Sequence, residues 1–129
     1  MATIISGKLL FISWQISIDE NCELIKGKIG KDLDTDEAYQ SAKRCALSII
    51  SQVKKACDND LSKVRSCVKL TGFVNSTDEF TDQPKIINGA SDLMVEIFGD
   101  KGKHSRFAVG TNSLPRNVVV EIEADAEIQ

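Results

Sequence analysis

An α+β fold, one sheet carrying two helices on one of its faces, is what this sequence predicts, and three stretches carry the prediction. From Val118 to Ile128 the even positions Val118, Val120, Ile122, Ala124, Ala126 and Ile128 are apolar, while Glu121, Glu123, Asp125 and Glu127 alternate with them. That period of two marks a strand with one face in a core and the other polar. Ala38, Ala42, Cys45, Ala46, Ile49, Ile50, Val53 and Cys57 recur instead at helical spacing. Ile86, Ile87, Ala90, Leu93, Met94, Ile97 and Phe98 do the same, so each set forms one apolar stripe along a helix.

The remaining elements follow in order. Leu9 to Ile18 and Glu23 to Lys26 read as two strands joined through Asp19-Glu20-Asn21, an opening hairpin. Gly27 and Gly30 mark a loop, and Asp34 followed by Glu37 is a capping box for the first helix. Val64 to Val74 is a strand closed by Asn75-Ser76-Thr77-Asp78. Thr81 or Asp82 caps the second helix, with Pro84 early in it and Gly99 at its end. A strand bearing Arg106 breaks at Ser113-Leu114-Pro115, and the alternating strand follows. Read as a hairpin, the last two strands would place Arg106 opposite Glu121.

A length of 129 residues suits one domain spanning 1–129, in which roughly two-thirds of the unfolded surface is buried. Apolar residues make up 42% and charged residues 27%, the balance of a globular domain without a linker or repeat. A formal net charge of -3 argues against nucleic acid as a partner, which calls for a strongly basic surface. Leu9 to Ile18 is too short to span a bilayer and contains Gln15, so no membrane segment is expected. Cys22, Cys45, Cys57 and Cys67 are scattered without Cys-x-x-Cys spacing and read as reduced thiols in a cytoplasmic protein. No metal site is expected from them, because zinc ligands come in closely spaced Cys/His pairs.

The chemistry available is narrow. His104 is the sole histidine, and no Ser-His pair can be placed from spacing. Gly27-Lys28-Ile29-Gly30-Lys31 lacks the Walker spacing and reads as a surface loop. Arginine, glutamate and backbone groups are the remaining tools. Arg106 offers a planar fork able to hold a carboxylate through two parallel hydrogen bonds, or it forms a structural ion pair. Glu121 can orient a water and take its proton, or it is one more acid on a solvated strand face.

Arg106, Val109, Leu114, Pro115, Val120, Glu121, Ile122, Glu123 and Ala124 form a pattern that resembles the closing motif of the reactive-intermediate deaminase family, also called the YjgF or L-PSP family. Gly7 to Gln15 is similar to that family's first-strand motif. Val64 to Asn75, with Phe80 and Phe98-Gly99, falls where its central strand and second helix lie. The resemblance implies a chorismate-mutase-like mixed sheet and a homotrimer with ligand sites in the clefts between subunits. It implies hydrolysis of 2-imino acids, or enamine tautomers such as 2-aminoacrylate, to 2-keto acids and ammonia, with no cofactor. Arg106 aligns with the arginine that holds the substrate carboxylate, and Glu121 with the glutamate assigned to the water.

Ser13-Trp14-Gln15 stands where the family reads Ser-Gly-Gln, whose glycine backbone approaches the ligand. Ser13 and Trp14 are therefore expected at the substrate site, with the indole filling the cleft, narrowing specificity, or turned into the core. Asn88 and Ser91 lie on or near the helix that faces the cleft in that fold, where they select the ligand or simply supply surface polarity. Phe107 and Ala108 replace the family's usual Ser-Cys type pair, and the chain resembles a divergent branch. Two other readings attach to the same resemblance. One is a trimer that binds small carboxylates without turnover. The other is an endoribonuclease or translation inhibitor, which the acidic balance opposes.

Overall fold

Residues 2–129 are described in a computed structural model of the chain. A first strand, β1 (Thr3–Ser6), turns through Gly7 and Lys8 into β2 (Leu9–Ile16). Gly7 sits at φ +62°, a left-handed conformation that glycine adopts without steric cost. The opening hairpin thus lies one strand earlier than the sequence predicts. Beyond Ile16 the expected partner strand Glu23 to Lys26 is reduced to single bridges, Ile18 to Leu24 and Lys26 to Val118. Asp19 holds that bend by accepting from the amides of Asn21 and Glu23, at 2.8 and 3.0 Å. A side chain that satisfies amides locally removes the need for a ladder.

Helix α1 (Thr35–Ala56) begins with the predicted capping box: Asp34 accepts from the Glu37 amide at 2.8 Å, and Glu37 accepts from the Asp34 amide at 3.3 Å. Its stripe of Ala38, Ala42, Cys45, Ala46, Ile49 and Val53 is buried. Strand β3 (Val64–Asn75) leads to α2 (Gln83–Phe98) and then β4 (Ser105–Thr111). Asp82 is the α2 N-cap residue but makes no side-chain cap hydrogen bond. Gln83 instead donates to the Phe80 carbonyl at 2.8 Å. Ile97, expected in the buried stripe, is 48% exposed, while Ile86, Ile87, Ala90, Leu93 and Met94 are buried. The last strand, β5, spans Val120–Ile128.

The sheet order is β1-β2-β5-β3-β4, with β3 and β4 parallel and every other pair antiparallel. It is the mixed sheet the resemblance implies, but β4 and β5 are not hairpin partners. The reason is the α2 crossover. A helix between two strands returns the chain parallel to the first, so β4 takes the outer edge of β3. The chain then passes Leu114 and Pro115 and re-enters antiparallel on the other side of β3.

Both helices cover one sheet face. Leu10, Ile12, Leu70, Val74, Val120 and Ile122 point into that layer and are at most 2% exposed. The helices themselves approach closely at Gly89, where an added Cβ would stand 2.1 Å from the Tyr39 carbonyl oxygen. The second face carries the alternate residues Glu121, Glu123, Asp125 and Glu127 of β5. Beside them stand Phe11, register partner of Asp125, and Phe73, register partner of Glu121. Phe107, paired with Thr71, is 56% exposed on the same face.

Candidate functional site

Arg106 stands in register with Leu70, a helix-side position, so its side chain rises beside α2 and not over the open face. Its Nη1 donates to Asn88 Oδ1 at 2.7 Å and to Ser91 Oγ at 3.2 Å. Asn88 and Ser91 are three apart on α2 and so share one helix face. Both are half-buried. Arg106 makes no ion pair among the described residues. Two neutral oxygens grip one end of the guanidinium and leave its charge unneutralised. The remaining wall of this cleft, about 310 Å³, is Val95, Lys103 and His104.

His104 joins the same cluster. Its Nδ1 lies 2.6 Å from the Gly102 carbonyl oxygen and its Nε2 lies 2.9 Å from Ser91 Oγ. A carbonyl only accepts, so Nδ1 carries the hydrogen and the neutral ring presents a lone pair at Nε2 to the serine hydroxyl. Sequence spacing alone places no Ser-His pair. The structure makes one, because the turn Gly99–Gly102 folds the start of β4 back along the end of α2. Thirteen positions separate the two residues, a spacing with no local signature.

Glu121, Trp14 and Ser13 form a second group elsewhere. Glu121 follows the buried Val120 and precedes the buried Ile122, so it projects from the open face, in register with Ile16 and Phe73. Burial raises its pKa above the ordinary glutamate value. Ser13 and Trp14 occupy a bulge, since β2 spends three residues from Ile12 to Gln15 while β5 spends two from Ala124 to Ile122. The Trp14 indole lies over β5 against the Phe73 ring, centroids 5.2 Å apart and planes at 34°. It is turned neither into the helix-side core nor toward Arg106. The sequence-predicted site residues therefore separate into Arg106, Asn88 and Ser91 on the helix side, and Ser13, Trp14 and Glu121 on the open side.

A further cleft, about 470 Å³, lies at the ends of β3 and β4 among Ser76, Thr77, Asp78, Gln83, Thr111 and Asn112. The Lys28 ammonium stands at its edge, donating to the backbone carbonyls of Ser76 and Asn112, and none of the predicted site residues lines it. No grouping of three or more His, Cys, Asp or Glu side chains suited to a metal occurs among the described residues. Nor is any described helix long and apolar enough to cross a membrane.

A mixed five-stranded sheet with two helices on one face, and an unpaired arginine set in neutral polar groups beside the second helix, define a small α+β protein of the chorismate-mutase-like type. Comparison with known proteins agrees. The sequence model described as "YjgF/chorismate mutase-like, putative endoribonuclease" matches residues 2–128, and the chain belongs to that family. Protein TCP17 of Trypanosoma cruzi is 40% identical over 124 residues, which cover 95% of this chain and 77% of that protein. A solved Agrobacterium tumefaciens protein of unknown function superposes with a TM-score of 0.97 at 44% identity, over 100% of this chain and 83% of that one. A structure described as a putative endoribonuclease from Shewanella oneidensis gives 0.94 at 32% identity, over 99% and 84% of the two chains.

Proposed function

We propose that this protein hydrolyses reactive 2-imino acids and their enamine tautomers, such as 2-aminoacrylate, to 2-keto acids and ammonia. The observation that carries the proposal is the guanidinium of Arg106. Asn88 and Ser91 orient it through Nη1, no carboxylate of the chain neutralises it among the described residues, and it lines an open cleft. Such a group holds a small carboxylate in a defined orientation. Imines hydrolyse unaided in water, so positioning supplies enough acceleration, each tenfold being about 1.4 kcal/mol.

Glu121 is assigned to the attacking water, and its opposite placement in the sheet shapes the proposal. Within one chain it cannot reach the Arg106 cleft. In a homotrimer with sites between subunits, the Arg106, Asn88 and Ser91 group of one chain meets the Ser13, Trp14 and Glu121 group of its neighbour. Apolar side chains on the open face, with Phe11 39% and Phe107 56% exposed, suit that face to burial in an assembly. Each site then adds water to the imine carbon, passes a proton to nitrogen, and releases ammonia as the carbonyl forms. No cofactor takes part, and the cytoplasm, where such imines arise as enzymatic by-products, is the proposed location.

An endoribonuclease reading rests on the description of the family and of the Shewanella relative. The net charge of -3 and the acidic row of β5 oppose it. The deciding assay is ammonia and keto-acid release from freshly generated 2-aminoacrylate and 2-iminobutanoate. Acceleration is expected with the wild type and not with Arg106→Ala. Pyruvate binding should weaken in the variant by roughly 10- to 150-fold, the loss of about 1.5–3 kcal/mol from a charged hydrogen-bonded pair. Pyruvate binding without turnover of any imine would leave only a carboxylate-binding trimer.

A further inference from the structure

We propose that Ser91 and His104 form a proton relay in the Arg106 cleft, through which the imidazolium of His104 supplies the proton taken by the departing nitrogen. This rests on the reading of Arg106 as the carboxylate anchor. It adds a proton source to the cleft that lies in the same chain as that anchor.

The argument is a count of hydrogens and lone pairs. Nδ1 of His104 is committed to the Gly102 carbonyl at 2.6 Å, so every change of protonation occurs at Nε2, 2.9 Å from Ser91 Oγ. Arg106 Nη1 donates to that same oxygen at 3.2 Å. When the ring is neutral, the serine hydrogen points to Nε2. When the ring is protonated, Nε2 donates instead, both lone pairs of Oγ are filled, by Nη1 and by Nε2, and the serine hydrogen must turn outward. The direction toward the cleft is the one left. One protonation step thus swings the hydroxyl from the ring to the ligand space.

The ligand geometry selects nitrogen as the acceptor. In a 2-imino acid the nitrogen is carried by the carbon next to the carboxylate. A carboxylate held on the free edge of the guanidinium therefore brings that nitrogen beside Ser91, which touches the other edge. As water oxygen bonds to the imine carbon and yields one proton to Glu121 of the neighbouring subunit, Ser91 passes its hydrogen to nitrogen and takes one from Nε2. The carbinolamine nitrogen then takes its second proton from Glu121 and leaves as ammonia while the carbon-nitrogen bond breaks and the carbonyl forms. The hydroxyl proton released from the carbinolamine returns to His104, so the chain ends each cycle unchanged. The charged groups facing the imidazole from the elements around it are Arg106 on β4 and Lys103 at the end of the preceding turn. The Lys103 ammonium is paired with Asp100 at 3.2 Å and 72% exposed.

His104 is the sole histidine, which makes the test clean. In the full chain, long-range proton-nitrogen NMR reports one imidazole, expected as the Nδ1-H tautomer when neutral. Kinetically, His104→Gln and Ser91→Ala should lose roughly 10²-fold or more in kcat, and the limb of the pH profile on which the wild-type rate falls as His104 deprotonates should flatten. Ser91→Thr keeps the hydroxyl and should restore most of the rate. Pyruvate affinity should stay within about threefold for His104→Gln and Ser91→Thr, which leave both hydrogen bonds of Arg106 Nη1 in place, separating a proton-handling role from a fold defect. An active wild type whose His104→Gln and Ser91→Ala variants keep its kcat and pH profile overturns the relay alone. A wild type that accelerates no imine overturns the relay and the deaminase reading together.

Discussion

Arg106 and Glu121 project from opposite faces of one sheet, with β3 lying between their strands. In β3, Arg106 registers with Leu70 and Glu121 with Phe73, three residues further along. The first points beside α2 and the second away from both helices.

That relationship makes a shared site testable by mixing. If sites form between subunits, Arg106→Ala and Glu121→Gln are each inactive alone but complement when unfolded together and refolded. In a randomly mixed trimer about a quarter of the sites carry both intact halves. Activity near a quarter of wild type is the expected recovery, measured as ammonia release. Recovery of none from a mixed trimer would place the two residues in separate functions.

The helix crossing sets a limit on substitution at Gly89. A methyl group there would stand 2.1 Å from the Tyr39 carbonyl oxygen, which belongs to backbone and cannot turn aside. Gly89→Ala should cost about 1–3 kcal/mol or more, the range for overpacking a filled interior, despite the gain in helix propensity. Thermal unfolding should show a midpoint several degrees lower.

Glu123 has a raised pKa, first from burial and then from Asp125, with Lys69 opposing. A carboxylate whose folded pKa lies above its unfolded value favours the folded state below the unfolded pKa, about 4.3. It loses that contribution as pH rises through the folded value. Glu123→Gln should therefore raise stability at pH 7, by under about 1 kcal/mol given the solvent near the group, and change nothing at pH 4. Denaturant unfolding at the two pH values gives the comparison.

Of the four free thiols only Cys22 is exposed. Burial pushes Cys67 up to about 11 and raises Cys45 and Cys57 as well, so their thiolates are scarce at neutral pH. A chromogenic disulfide reagent at pH 8 should titrate one thiol per folded chain rapidly, and the other three only in denaturant. Loss of the fast phase in Cys22→Ser checks the assignment.

Local pattern was enough for much of this architecture. The capping box at Asp34 and Glu37, the buried stripes of both helices and the alternation of β5 are short-range consequences of side-chain chemistry and period. Strand β1 escaped because Thr3-Ile4-Ile5-Ser6 is a short edge strand with no alternation of its own. It is defined by its partner β2. Arg106 and Glu121 stood out as individual residues through their motif.

What the sequence alone determined was the inventory: two helices, a half-buried alternating strand, one unusual arginine and a single histidine. Tertiary structure decided which of these share a space. The α2 crossover made β4 parallel to β3, and that inserted β3 between the two strands a hairpin would have joined. The same turn at Gly99–Gly102 brought His104 against Ser91 and Arg106. Strand neighbours and faces depend on contacts between residues far apart in the chain, and no local period encodes them.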